Sequence, residues 1–334
     1  MKLVISHFFN EEYLLPWWLK HHRELFDHGV LIDYHSTDRS IDICRELVPD
    51  WEIISSENKL FSALDCDFEV MKHEARFPDT WKIALNTTEF LVGDQLEEVI
   101  ARAEAEKTLG ISIPGTAMID NNPDAKLDTN IPLVAQKYHG FWESEFPLER
   151  VSYPWYFPRA RTRLLHKHAF GAYTPGRHSS MLPQLMDVTN KELGIWWYGY
   201  SPWTPEFVAR KTQIQTKMDP LDKEVGRGIQ HLADDHEQQN RRRVLLDYAH
   251  DLSMAEEADA TADLSKAKSL EERHMAIIDR DTAIAARDEA ISARDEAIAE
   301  RNAMSHEREL AIAERDHARR YPWKYMGRAL RKRP

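Results

Sequence analysis

Gly29-Val30-Leu31-Ile32-Asp33-Tyr34-His35-Ser36-Thr37-Asp38-Arg39-Ser40 is the stretch whose reading decides the fold. Its first half is an apolar run short enough to be a buried strand. Its second half is polar, and Ser36-Thr37-Asp38 offers side chains that cap a helix. That helix carries Ile41, Ile43, Cys44 and Leu47. Upstream, Leu3-Val4-Ile5 reads as another buried strand. Asn10 then offers a helix cap, with Glu11 and Glu12 near the positive end of the helix dipole. Proline is tolerated near a helix start, so Pro16 places the main helix over about residues 16–26. Downstream, residues 51–54, 81–85 and 111–114 read as strands, and residues 61–75 and 95–106 as helices. This alternation predicts an α/β fold, a mostly parallel sheet flanked by helices.

The chain has 334 residues, 42% of them hydrophobic, enough for one sizeable core and an appendage. A net charge of −12 argues against a broad nucleic-acid footprint. Cys44 and Cys66 have no zinc-binding spacing, and two unpatterned thiols suit a reducing compartment. The first apolar run is too short for a signal peptide, and no stretch approaches the roughly 20 apolar residues of a membrane span. The expected location is cytoplasmic.

Over residues 121–199 the periodicity weakens and Pro, Gly, aromatic and basic residues mix. Loops and short strands are expected there, forming the acceptor side of a site rather than scaffold. Helices are expected again over residues 205–218 and 239–250. Beyond them the chain changes in kind. Arg recurs at 273, 280, 287, 294, 301, 308 and 315, and Ile at 277, 284, 291, 298 and 312. Ala, Arg and Glu favour a helix of about 40 residues. Only Ile is a strong seam residue, so weak self-association competes with a lone solvated helix. Residues 319–334 hold seven Lys or Arg with Tyr321, Trp323 and Tyr325, and no acid. A basic aromatic segment suits an anionic membrane surface, so the protein is expected to lie peripheral to the inner face of a membrane. A disordered basic tail is the alternative. The expected division is residues 1–250, 251–318 and 319–334.

The segments His7-Phe8-Phe9-Asn10-Glu11-Glu12, Trp17-Trp18-Leu19-Lys20-His21-His22 and Leu31 to Ser40 together resemble the opening of family 2 glycosyltransferases. The resemblance implies a GT-A-like fold and a nucleotide-sugar donor. It places Asp33 where the family's nucleotide-contacting aspartate stands, with Asn10 and Asp38 beside it. The residues agree independently. Parallel α/β sheets bind ligands at the carboxyl ends of their strands, and Asp33 ends one. The alternative is an acid that only fixes a turn, and for Asp38 and Asn10 a helix cap.

Trp81-Lys82-Ile83-Ala84-Leu85-Asn86-Thr87-Thr88-Glu89-Phe90-Leu91 resembles the family segment in which two aspartates, one apart, hold a divalent metal on the donor's diphosphate. Here Asn86 and Thr88 replace those aspartates and Glu89 remains. Mg²⁺ and Mn²⁺ prefer charged oxygens, which puts the metal in question. Three arrangements stay open. The diphosphate holds the metal with help from Glu89; or Arg159, Arg161, Arg163 and Lys167 neutralise the phosphates; or catalysis is lost. Alternating arginines on a strand share one face, which suits phosphates as well as it suits a solvated edge. His178 is the candidate for the late histidine of such sites, and Gly199 stands where the family has another. Asp65-Cys66-Asp67 reads as a solvated helix face. Asp120, Glu143 and Glu145 are equivalent candidates for the base.

The resulting expectation is a nucleotide-sugar-dependent transferase acting on a glycan or lipid-linked acceptor in surface or secreted glycan synthesis. The alternative is a degenerate transferase domain that binds or scaffolds through its helical tail.

Overall fold

A computed structural model describes residues 1–145, 162–224 and 232–253. The expected heptad helix and basic C-terminal segment lie outside the described residues, as do Arg159 and Arg161. By its internal contacts the chain divides into Met1–Glu256 and Glu257–Pro334, and the described residues all belong to the first unit.

That unit opens with β1 (Lys2–Phe8), α1 (Leu15–His22), β2 (His28–Asp33), α2 (Ser40–Leu47), β3 (Glu52–Ser55), α3 (Ala63–Glu74) and β4 (Trp81–Ala84). It continues with β5 (Glu89–Val92), α4 (Leu96–Ala105), β6 (Gly110–Ile119), α5 (Leu133–Gln136) and β7 (His139–Trp142). A 3-10 turn (Glu143–Glu145) precedes β8 (Thr162–His166), β9 (Met186–Asp187) and β10 (Gly194–Tyr200). Then come α6 (Pro205–Thr212), a 3-10 segment (Gln213–Lys217), α7 (Pro220–Glu224), α8 (Asp235–Leu246) and β11 (His250–Asp251).

The fold is α/β, with one sheet flanked by helices. Its parallel core runs β3-β2-β1-β4. On the β4 side it continues through antiparallel β8, β6 and β7, with β10 joined to β6 and β5 to β10. Both faces of β1 and β2 are covered, which is why they carry the apolar runs Leu3-Val4-Ile5 and Val30-Leu31-Ile32. Alternate residues go to opposite faces. Val4 and Leu31 enter the cluster that holds Leu15, Trp18 and Leu19 of α1. Leu3, Ile5, Val30 and Ile32 enter the one with Val70 of α3. Gly29 is dictated by close approach: a Cβ there would stand 2.1 Å from the ring of Trp51. No described helix is long and apolar enough to cross a membrane.

Several expectations need correction. Asn10 caps no helix. Its backbone is left-handed (φ 52°) and α1 begins five residues later. β10, aromatic at Trp196, Trp197 and Tyr198, is scaffold rather than an acceptor loop. It pairs with both β5 and β6, and Tyr198 is fully buried. The helix expected over residues 205–218 ends at Thr212 and tightens into the 3-10 segment. Asp65-Cys66-Asp67 is not a solvated face, because Cys66 and Asp67 are buried and only Asp65 is exposed.

Candidate functional site

The carboxyl ends of β1, β2 and β4 lie side by side, because β1 pairs with both neighbours in parallel. They deliver His7 through Glu11, Asp33 with Tyr34, and Asn86 through Thr88 to one edge of the sheet. Asp33 is 3% exposed, and its Oδ1 accepts the Ser36 amide at 3.0 Å. The two loops are tied to each other. The Asn10 amide donates to Ser36 Oγ at 2.9 Å, and Asn10 Oδ1 accepts the Thr37 amide at 2.7 Å. Asp38 accepts the amides of Ser40 and Glu12, both at 3.0 Å, so it serves α2 and the neighbouring loop at once. Asn10 and Asp38 also line an open cleft of about 780 Å³, with Tyr13, Arg39, Arg210 and Gln213. Glu11 is buried inside this edge, paired with Arg210 and bonded to Thr87, and burial pushes its carboxyl above the usual range.

At Asn86 and Glu89 the arrangement differs from a metal site. Arg163 grips Glu89 with two nitrogens, Nε donating to Oε2 at 2.8 Å and Nη2 to Oε1. The Asn86 amide donates to the same Oε2 at 2.8 Å and the Asn86 side chain to Oε1 at 3.2 Å. Asn86 Oδ1 accepts from Arg177 Nη2 at 2.6 Å, while Arg177 Nη1 donates to Asp67 Oδ1 at 2.5 Å. Arg163 Nη1 meets His178 Nδ1 at 2.9 Å and donates to the Arg177 carbonyl at 2.7 Å. Glu89, Arg163, Asp67 and Arg177 are all under 7% exposed. The turn that inserts Arg177 is left-handed at two successive residues, Gly176 (φ 85°) and Arg177 (φ 60°). Such a backbone is uncommon for a side-chain-bearing residue and persists where its surroundings hold it. Here the Gly176 amide donates to Asp67 Oδ2 at 2.7 Å.

As placed, this set does not fit Mg²⁺ or Mn²⁺. Both oxygens of Glu89 face a guanidinium, and the free-amide oxygen of Asn86 is already taken by another. Among the described residues no group of three His, Cys, Asp or Glu is arranged to hold a metal.

Next to this network the His7 ring lies 4.9 Å from that of Tyr34. Burial and the nearby Arg177 push the His7 imidazole down to about 3, so it is neutral under ordinary conditions. His7 Nε2, the Tyr34 hydroxyl and Arg177 Nε are buried polar atoms with no hydrogen-bond partner among the described residues. Unpartnered buried polar groups are rare in folded chains.

Residues 213–219 lie over this edge. Gln213 Nε2 donates to the carbonyls of Phe9 (3.0 Å) and Asn10 (2.8 Å). Lys217 Nζ donates to the Tyr34 carbonyl at 2.8 Å and sits 3.7 Å above the Phe9 ring. The Phe61 amide bonds the Lys217 carbonyl at 2.7 Å, and the Asp219 amide bonds the Phe61 carbonyl at 2.8 Å.

Asn86, Glu89, Arg163 and His178, which the sequence groups, do lie together, and Thr88 stands beside them, its carbonyl accepting the Tyr198 amide. Lys167 does not join them. It follows β8 at the end where His166 pairs with Lys82, the amino end of β4, and it pairs with Glu104. His168 lies at that end too. Asp120 is not a free base: Lys137 and the amides of Asn122 and Trp203 occupy its carboxylate. Glu143 is buried and also engaged. From the sequence His7, Asp67 and Lys217 receive no site role, and Arg177 enters only as a member of the basic group beside His178. The signal for Arg177 was its place between Gly176 and His178.

No family model matches the chain, and no curated protein sequence does. Solved structures are similar only in outline. S. aureus TarS 1-349 in complex with UDP is 11% identical, with a TM-score of 0.35, covering 81% of this chain and 76% of that one. The longer S. aureus TarS structure is 11% identical, with a TM-score of 0.33 over 64% of this chain, which spans 39% of it. HddC from Yersinia pseudotuberculosis is 12% identical, with a TM-score of 0.33, covering 63% of this chain and 97% of that one. Likeness at this level carries no information about substrate.

Proposed function

We propose that the chain is a nucleotide-sugar-dependent glycosyltransferase of GT-A type, acting in surface or secreted glycan synthesis without a divalent metal on Asn86 and Thr88. One observation carries this reading. Asp33, His7 and Asn86 stand at the carboxyl ends of three adjacent parallel strands, the place where open α/β sheets bind nucleotides. Asp33 has an oxygen free of its Ser36 bond to receive a base or ribose. In the transfer, the acceptor hydroxyl attacks the anomeric carbon, the bond to the diphosphate breaks, and a base takes the hydroxyl proton. That base is unassigned, since Asp120 is already paired. The acceptor is a glycan or lipid-linked sugar, which an association of residues 319–334 with anionic lipid would bring near.

A calorimetric screen of nucleoside diphosphates and nucleotide sugars, with Mn²⁺ and with chelator, tests the reading. One nucleotide class is expected to bind under both conditions. The Asp33→Ala variant should weaken it by about 1–3 kcal/mol, the cost of an unpaired polar contact. Absence of binding by every nucleotide would sink the proposal. A second reading, a degenerate domain that binds donor or partner without transfer, is favoured by the closed network around Glu89. Nucleotide-sugar binding with neither transfer nor donor hydrolysis would select it.

A further inference from the structure

The network around Asn86 does more than exclude a metal. It repeats the charge of one. A divalent cation on two aspartates sums to zero before a diphosphate arrives. Here Arg163 and Arg177 face Glu89 and Asp67, which also sums to zero. The guanidiniums come from β8 and from the turn at residues 176–177, so the second half of the domain supplies what an ion supplies elsewhere. The two arginines are not equivalent. Arg163 spends its nitrogens on Glu89, the Arg177 carbonyl and His178. Arg177 holds Asp67 and Asn86 with its two terminal nitrogens and leaves Nε–H buried and unpartnered. The neutral residue at position 86 matters to this. An aspartate there would add a charge that the pair of arginines does not balance. The amide instead anchors Arg177 by its oxygen and Glu89 by its nitrogen.

We infer that Arg177 is the diphosphate-binding cation of this site, held in the metal's place by Asp67 and Asn86 and presenting its Nε–H to a phosphate oxygen. This rests on the nucleotide reading above and names the group that receives its charged end. Nε is closed to solvent in the fold as it stands, so a phosphate oxygen reaches it only as the groups packed over it move aside.

The test uses the full chain and three probes: the nucleoside, its diphosphate, and inorganic pyrophosphate. For the unaltered protein, chelator is expected to leave diphosphate affinity unchanged. Arg177→Gln should lower diphosphate and pyrophosphate affinity roughly tenfold or more while the nucleoside binds as before, because only a charge-assisted bond is lost. The single variant leaves Asp67 buried and unpaired, so the neutral pair Asp67→Asn with Arg177→Gln is measured alongside it, with thermal melting to confirm folding. It should show the same split between diphosphate and nucleoside. Equal losses for nucleoside and diphosphate would mean a structural role only. Unchanged diphosphate binding in the folded double variant, or loss of binding on chelation in the unaltered chain, would overturn the inference while leaving the nucleotide reading in place. If neither nucleoside nor diphosphate binds the unaltered chain, the nucleotide reading fails and this one falls with it.

Discussion

His7 is the residue whose titration the fold perturbs in the most readable way. Its ordinary value is near 6.5 and the folded chain lowers it to about 3. The unfolded chain therefore takes a proton first as pH falls, and stability is lost from about pH 6.5 downward. From that shift the loss attributable to His7 between pH 7 and pH 5 is about 2 kcal/mol. Urea unfolding at both values checks it. His7→Asn should shrink the difference by about that amount, and an unchanged difference would show that the imidazole is not held neutral. Asp33 was legible in the sequence because a carboxylate that ends a buried strand has one place to go. Asp67 was not. Its helix context is that of a solvated acid, and only the turn at Arg177, more than 100 residues away, gives it a partner. Long-range ion pairs leave no periodic trace, which is why the sequence leaves a metal open at Glu89 and leaves Asp120 among three candidates for the base.

The elements divide in the same way. β1 to β4 and α1 to α4 follow from hydrophobic period, and the structure differs from the sequence reading there by a few residues at each end. From β5 onward the pairing is largely non-local. β5 joins β10, which begins about 100 residues later. Aromatic residues in β10 mimic loop composition because their packing partners are remote. The Glu89–Arg163 pair ties β5 to β8 inside this poorly legible half. Truncating one partner of a buried pair typically costs about 3–5 kcal/mol. Arg163→Met is therefore expected to lower unfolding free energy by that order. Glu89→Gln with Arg163→Met should recover much of it. A single variant that unfolds like the parent would show that the pair is solvated and would reopen Glu89 as a ligand.

For the whole molecule, charge is distributed unevenly. The chain carries −12 overall, yet residues 319–334 hold seven cations and no acid. Each cation near an anionic bilayer contributes on the order of 1 kcal/mol. Flotation with anionic vesicles should carry the full chain but not one lacking residues 319–334, and neutral vesicles should carry neither; equal flotation of both chains would end the membrane reading. The segment over the crevice has a consequence of a different kind. Gln213 and Lys217 occupy backbone carbonyls of the loops that follow β1 and β2, so under the proposed function the chain would compete with the nucleotide for this edge. On that proposal an arriving nucleotide would meet an intramolecular rival at fixed local concentration, and its apparent affinity would be the intrinsic one scaled by the fraction of time the rival is absent. Entry then has a ceiling. In stopped-flow mixing the observed rate should level off as nucleotide is raised, at the rate with which residues 213–219 lift, and Lys217→Ala should raise that plateau. A rate that climbs linearly without limit would mean that the crevice stands open in solution.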